Sequence, residues 1–276
     1  MRLETTVLNT LWRKSKMIKL GKSRKKITLF DSNVKRNKDG KVLMPVLEHF
    51  ISLNGEGLES GKPVMFIRLT GCNLRCDFGN GGCDTCESLL FPQDRKEVDY
   101  TYYSAKELAD IVREKHIKRI CLTGGEPLAR EGIAEFIHDL STSLNGKVTI
   151  EIETNGSISL NKTFNYIPRP TTVSFTLDYK PVSSKMNKTM DLKNWNELDY
   201  RDSIKFVIGC REDMERAVEV IREHKPKANI LFSPMYGQVD LEELWTFCHS
   251  DENIPLDIKL QLQIHKIFFP ADKRGV

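Results

Sequence analysis

Four of the seven cysteines fall within fifteen residues, in the run Gly71-Cys72-Asn73-Leu74-Arg75-Cys76 and in Cys83-Asp84-Thr85-Cys86. Thiolates are soft ligands that suit zinc or an iron–sulfur cluster. Three residues separate Cys72 from Cys76, six separate Cys76 from Cys83, and two separate Cys83 from Cys86. Gly79, Gly81 and Gly82 lie in the longest gap and let the backbone curl so that the sulfurs can meet. On spacing alone, a structural zinc knuckle and an iron–sulfur site carry similar weight. Such clustering suits a reducing, cytoplasmic setting and not a disulfide framework. Cys121, Cys210 and Cys248 fall on or beside strand and helix patterns and read as small core residues.

Other polar motifs each follow an apolar, β-rich run. Gly71-Cys72 follows Val64–Thr70, Gly124-Gly125-Glu126 follows Arg119–Thr123, and Asn155-Gly156 follows Lys147–Thr154. Asp178-Tyr179-Lys180 follows Thr172–Leu177, and Ser233-Pro234-Met235-Tyr236 follows Ala228–Phe232. Further strands are expected at 203–208 and 258–263. Helical spacing of apolar residues predicts helices over 105–116, 129–143, 212–224 and 240–249. Ser104 is the expected N-cap of the first. Alternating strands and helices define a single parallel-sheet α/β domain, in which the loops after strand ends carry the chemistry. Taken singly, each motif has a plainer reading. Gly124-Gly125 is an ordinary strand-to-helix turn, with Pro127 opening the helix. A lone histidine such as His265 is more often structural than catalytic.

The 276 residues, 39% hydrophobic and 29% charged, are the balance of a globular chain. No apolar run is long enough for a membrane span, and no secretory signal is visible. The net charge of +4 hides an asymmetry: residues 1–42 carry thirteen Lys+Arg against three Asp+Glu, and the remainder carries a net −6. The expected division is a basic, weakly ordered extension over 1–43 and a catalytic domain over 44–276. The extension is the one part that suits nucleic acid, although it lacks interleaved aromatics for base stacking.

Gly71-Cys-Asn-Leu-Arg-Cys76, followed by Thr123-Gly-Gly-Glu-Pro127, resembles the radical S-adenosylmethionine (SAM) enzymes. Within them the chain is similar to the 7-carboxy-7-deazaguanine synthase family. Leu53-Asn-Gly-Glu-Gly57, Gly61–Arg68, Cys83-Asp-Thr85, Glu153-Thr-Asn-Gly156, Asp178-Tyr-Lys180, Ser183-Ser184 and Gln261-Leu-Gln-Ile-His265-Lys266 carry that likeness from about Met44 onward. The resemblance implies a partial TIM-type (β/α)6 barrel and a [4Fe–4S] cluster held by Cys72, Cys76 and Cys83. Residues 79–82 then read as an insertion and Cys86 stands outside the set; Cys72, Cys83 and Cys86 form the other arrangement the spacing allows.

The open iron would take SAM, whose reductive cleavage yields a 5′-deoxyadenosyl radical. By the same resemblance, Gly124, Gly125, Glu126, Glu153, Thr154, Asn155, Lys180, Ser183, Ser233 and Met235 contact SAM. Leu53, Asn54, Gly55, Glu56, Arg68, Thr123 and His265 contact a pterin substrate, and Thr85 ligates Mg2+, with Asp84 behind it. An arginine fork suits the substrate carboxylate. The family usually has Gln where Asn54 stands. The implied reaction is that of a carbon–nitrogen lyase in 7-deazaguanine (queuosine-type) biosynthesis: 6-carboxy-5,6,7,8-tetrahydropterin becomes 7-carboxy-7-deazaguanine, with release of ammonia. The implied partners are a reductase such as flavodoxin and a second copy in a homodimer. Two other readings compete: a radical SAM activase that installs a glycyl radical on a protein, and a zinc-stabilised nucleic-acid-binding protein.

Overall fold

The computed structural model describes residues 29–77, 82–83, 85–270, 273 and 275. Most of the basic extension, residues 1–28, lies outside them, as do residues 78–81, which include all but Gly82 of the expected insertion, and Asp84. The strands are β1 (Lys35–Arg36), β2 (Val42–Leu53), β3 (Pro63–Leu69), β4 (Thr101–Ser104), β5 (Arg119–Gly124) and β6 (Thr149–Thr154). They continue with β7 (Val173–Tyr179), β8 (Ser203–Ile208), β9 (Asn229–Pro234) and β10 (Lys259–Leu260). The helices are α1 (Ala105–Glu114), α2 (Ile133–Ser143), α3 (Leu160–Thr163), α4 (Arg211–His224), α5 (Leu241–Cys248) and α6 (His265–Phe268).

One sheet runs β1-β2-β3-β5-β6-β7-β8-β9-β10, with β4 added to β2. From β3 to β10 all neighbours are parallel. This is the expected partial (β/α) barrel, with an antiparallel edge. Along the parallel strands side chains alternate between two environments. Ile120, Leu122, Ile150, Ile152, Phe175, Leu177, Ile204 and Phe206 are buried in the apolar core with Leu108 and Val112 of α1, Phe136, Ile137 and Leu140 of α2, and Met214, Ala217, Val218 and Ile221 of α4. Arg68, Thr123, Glu151, Glu153, Thr176, Asp178, Ser203, Lys205 and Ser233 fall on the opposite, inner face. Ser104 caps α1 in a full capping box with Glu107.

Several expectations need correction. The boundary at 43/44 falls inside the sheet. β1 precedes it, and Asp31 is buried, exchanging backbone hydrogen bonds with Ala129 and Glu131. That attachment also holds residues 129–131 out of helix, so α2 starts at Ile133 behind a left-handed Gly132. β2 is a twelve-residue strand that leads into the Asn54–Gly57 turn. The crossover from β7 to β8, over which no helix was expected, uses 3-10 turns. The last strand shrinks to two residues; just beyond it Gln261 still donates its amide to Phe232 of β9, while its side chain accepts from the Gly57 amide. Cys121 and Cys248 are buried as expected, but Cys210 is exposed at the start of α4.

Candidate active site

The carboxyl ends of β3, β5 and β6 are locked together. Gly124, at φ +136, brings β5 so close to β3 that a Cβ would lie 2.1 Å from the Leu69 carbonyl oxygen. A Cβ on Gly125 would lie 2.2 Å from the Gly71 carbonyl oxygen. These glycines are therefore required for the close approach of two strand ends, whatever they offer a ligand. Glu126 is fully buried. Its carboxylate accepts from the Leu128 and Asn155 amides at 3.0 and 2.6 Å and from the Thr154 hydroxyl at 2.8 Å. Glu126 and Thr154, both expected at SAM, thus spend their side chains on joining the two loops. Burial raises the Glu126 carboxyl to about 6 against these bonds.

The cysteine loop docks on this platform. Asn155 donates to Asn73 at 2.9 Å, Asn73 donates to Ser157 at 2.8 Å, and the Asn155 amide nitrogen lies 3.8 Å from Cys72 Sγ. The Leu74 amide reaches the same sulfur at 3.4 Å. Burial pushes the Cys72 thiol up to about 12, and Cys83 and Cys76 add to the rise. Cys76 is raised in the same way, by burial first, with Lys180 opposing and Cys83 adding. The three sulfurs thus feel one another, and N–H donors and a lysine ammonium adjoin them. Among the described residues no three metal-binding side chains are already gathered around one point. The donor set nonetheless fits an anionic iron–sulfur cluster, whose sulfurs such donors stabilise. Cys86 instead faces Glu87, at 3.8 Å. The Thr85 hydroxyl lies 3.4 Å from Cys83 Sγ, beside these thiols, where one protein oxygen could join a hydrated Mg2+.

The inner face carries a charged network. Lys205 pairs with Asp178 at 2.9 Å and Glu56 at 3.2 Å, and Lys180 pairs with Asp178 at 3.0 Å. Ser233 donates to Glu56 at 2.7 Å, and Thr123 donates to Glu153 at 2.6 Å. Burial works against the charges on Glu56 and Asp178. The lysines outweigh it, with Ser233 helping at Glu56, and hold both carboxyls below their ordinary range. Arg68 donates to Glu48 at 2.7 Å, so the expected carboxylate clamp already has one anionic partner. In register, Glu48, Arg68 and Thr123 stand side by side across β2, β3 and β5.

Two segments more than 200 residues apart close the open side of the barrel. A Cβ on Gly55 would sit 1.9 Å from His265 Nδ1, so only glycine leaves room for the imidazole. The Ile264 amide donates to Gly55, the Gly57 amide donates to Gln261 at 2.9 Å, and Gln263 reaches Glu56 at 3.4 Å. Ser183 and Met235 also converge. Ser183 donates to Asp213 at 2.7 Å, and a Cβ on Gly209 would meet Met235 Sδ at 2.9 Å and Ser183 Oγ at 3.4 Å. Leu53 ends β2, immediately before the buried Asn54. The motif reading passed over Glu151, Lys205, Gly209 and Asp213. The first two were legible as polar residues at every second position of otherwise apolar strands.

A parallel half-barrel with thiols at its strand ends and a charged lumen is the architecture of radical SAM enzymes. The family model of the radical SAM superfamily matches residues 66–249, and the chain belongs to that superfamily. It is 41% identical to the 7-carboxy-7-deazaguanine synthase of Clostridium acetobutylicum, over 84% of this chain and 98% of that protein. It is 36% identical to the enzyme of the same name from Methanospirillum hungatei, over 81% and 84%. The crystal structure of QueE from Escherichia coli shares the fold at a TM-score of 0.61 and 19% identity, covering 80% of this chain and 93% of that one. Within the superfamily, the chain is a member of the 7-carboxy-7-deazaguanine synthase family. A [4Fe–4S] cluster, SAM and Mg2+ are the cofactors that go with this membership.

Proposed function

We propose that this chain converts 6-carboxy-5,6,7,8-tetrahydropterin to 7-carboxy-7-deazaguanine with loss of ammonia, in 7-deazaguanine biosynthesis. The observation that carries this reading is the meeting of Asn54–Gly57 with Gln261–His265 across a lumen lined by Arg68, Thr123 and Glu153. That enclosure suits a small carboxylated heterocycle better than the open docking face that a glycyl-radical activase needs. No helix among the described residues is long and apolar enough to cross a membrane.

Bound together, the cluster and SAM supply one-electron chemistry that abstracts a hydrogen atom from the substrate. Cys72, Cys76 and Cys83 hold the cluster, and Thr85 takes part in binding Mg2+. Gly124, Gly125, Glu126, Glu153, Thr154, Asn155, Lys180, Ser183, Ser233 and Met235 form the SAM wall. Of these, Glu126, Thr154 and Ser183 act by holding loops in place. Arg68 and His265 offer donors to the substrate carboxylate, and Thr123, fixed by Glu153, lies between that end and the SAM wall. Leu53, Asn54, Gly55 and Glu56 shape the turn beneath. A flavodoxin-type reductase, a homodimer and a cytoplasmic setting complete the reading, with the chain from the buried Asp31 onward as the catalytic part.

The test is anaerobic reconstitution with iron and sulfide, followed by incubation with dithionite, SAM and the carboxytetrahydropterin. The expected result is a 7-carboxy-7-deazaguanine peak by mass spectrometry. SAM cleavage without that product would refute the substrate assignment. Bound zinc without a cluster would refute the enzyme reading altogether.

A further inference from the structure

Glu48 lies on β2 directly opposite Arg68, and no motif includes it. Val46 pairs with Leu69 and Glu48 with Arg68, so β2 takes two steps against one on β3. Without that bulge the apolar Leu47 would stand opposite Arg68. One row further along the same face, Phe50 stacks on Phe66 at 5.2 Å and holds the two strands in register. Glu48 Oε1 accepts from Arg68 Nε at 2.7 Å. Arg68 makes no other hydrogen bond among the described residues, so its end-on fork of Nη1 and Nη2 stays free. We propose that Glu48 is a positioning residue for the substrate carboxylate: by holding Arg68 through Nε, it presents Nη1 and Nη2 to the lumen as a preset fork. This rests on the carboxylate-binding role proposed above for Arg68.

The shape of the guanidinium allows this division of labour. Its N–H groups are coplanar, and a carboxylate can meet either the Nη1/Nη2 end or the Nε side. An arginine held by nothing must give up its rotamer freedom when the ligand binds, which weakens binding. Glu48 removes that freedom beforehand. As an anion it also repels a second carboxylate. Its side chain is 39% exposed, against 15% for Arg68, so water screens the repulsion while the hydrogen bond still fixes the guanidinium plane. On the other side of Arg68, Thr123 of β5 is itself held by Glu153. The row of Glu48, Arg68 and Thr123 is therefore set before any substrate arrives.

The experiment measures Kd for 6-carboxypterin and for pterin, which lacks the carboxylate, by calorimetry on reconstituted protein with SAM and no reductant. Wild type, Glu48→Ala and Glu48→Gln are compared. Wild type should bind 6-carboxypterin the more tightly. Glu48→Ala should weaken 6-carboxypterin about tenfold and leave pterin unchanged. Glu48→Gln, whose Oε1 still accepts from Nε, should keep the wild-type preference. If Glu48→Ala does not accumulate, Glu48→Leu keeps bulk on the strand without an acceptor and should show the same loss. An unchanged or tighter Kd for 6-carboxypterin in the Ala or Leu variant, equal weakening of both ligands, or a Gln variant as weak as Ala would overturn the inference and leave the proposed function standing. A wild type that binds both ligands alike, or neither, would overturn the clamp proposed for Arg68 and this inference with it.

Discussion

Replacing Glu126 by Gln should remove a loss of stability that grows with pH, although Glu126 sits at the heart of the site. Its carboxyl titrates at about 6 in the folded chain against 4.5 as a free group. A raised carboxyl contributes stability that is fully present below 4.5 and lost as pH climbs through 6. Gln cannot ionise and carries no such loss, but its amide nitrogen replaces Oε2 and faces the Asn155 N–H, at a pH-independent cost of about 1–3 kcal/mol. The relief is about 2 kcal/mol at pH 7.5 and about 0.8 kcal/mol at pH 5, so the variant gains about 1.2 kcal/mol on wild type between them. Glu126→Ala fares worse at both. It strands the Leu128 and Asn155 amides and the Thr154 hydroxyl, at about 1–3 kcal/mol each, which exceeds the 2 kcal/mol of relief. Urea unfolding of the cluster-free chain at the two pH values measures both. A Gln variant whose stability relative to wild type does not rise between pH 5 and pH 7.5 would refute the reasoning. The native residue then reads as a charge kept for the site at the expense of the fold.

Cys76→Ser should lose the cluster, whereas Cys86→Ser should keep it; iron content per chain decides, and the reverse result reassigns the third ligand. Arg68→Ala should raise KM for the pterin at least about tenfold, by loss of a charge-assisted pair, with iron content unchanged; an unaltered KM would remove the carboxylate clamp. Lys205→Met should destabilise the chain by about 3–5 kcal/mol, because Glu56 and Asp178 lose their shared buried cation. A melting temperature equal to wild type would show that water already screens those carboxylates.

The strand-end motifs were legible because period-2 and helical patterns place Cys72, Thr123–Glu126, Asn155 and Lys180 after strands without any tertiary information. β2 was hidden by Pro45, which lacks an N–H, and by Glu48 and His49, which interrupt its apolar run; pairing on both sides overrides that local weakness. The start of α2 was misplaced because residues 129–131 meet Asp31, a contact across about a hundred residues that no local pattern carries. For the same reason, the Gly55–His265 contact was legible only as two separate motifs. Roles assigned by motif also blurred two jobs. Gly124, Glu126 and Ser183 stand where SAM binding was expected, but what the structure displays is their grip on neighbouring loops.

The central claim is that the cysteine loop and the turn at Asn54–Gly57 serve one reaction in a shared lumen. The most direct test is to supply reconstituted protein with SAM, dithionite and the pterin carrying deuterium at C6, then weigh the 5′-deoxyadenosine released. Transfer of deuterium into 5′-deoxyadenosine, together with 7-carboxy-7-deazaguanine, is the predicted result. Unlabelled 5′-deoxyadenosine alone would mean that SAM is cleaved without the substrate in reach, contradicting the account.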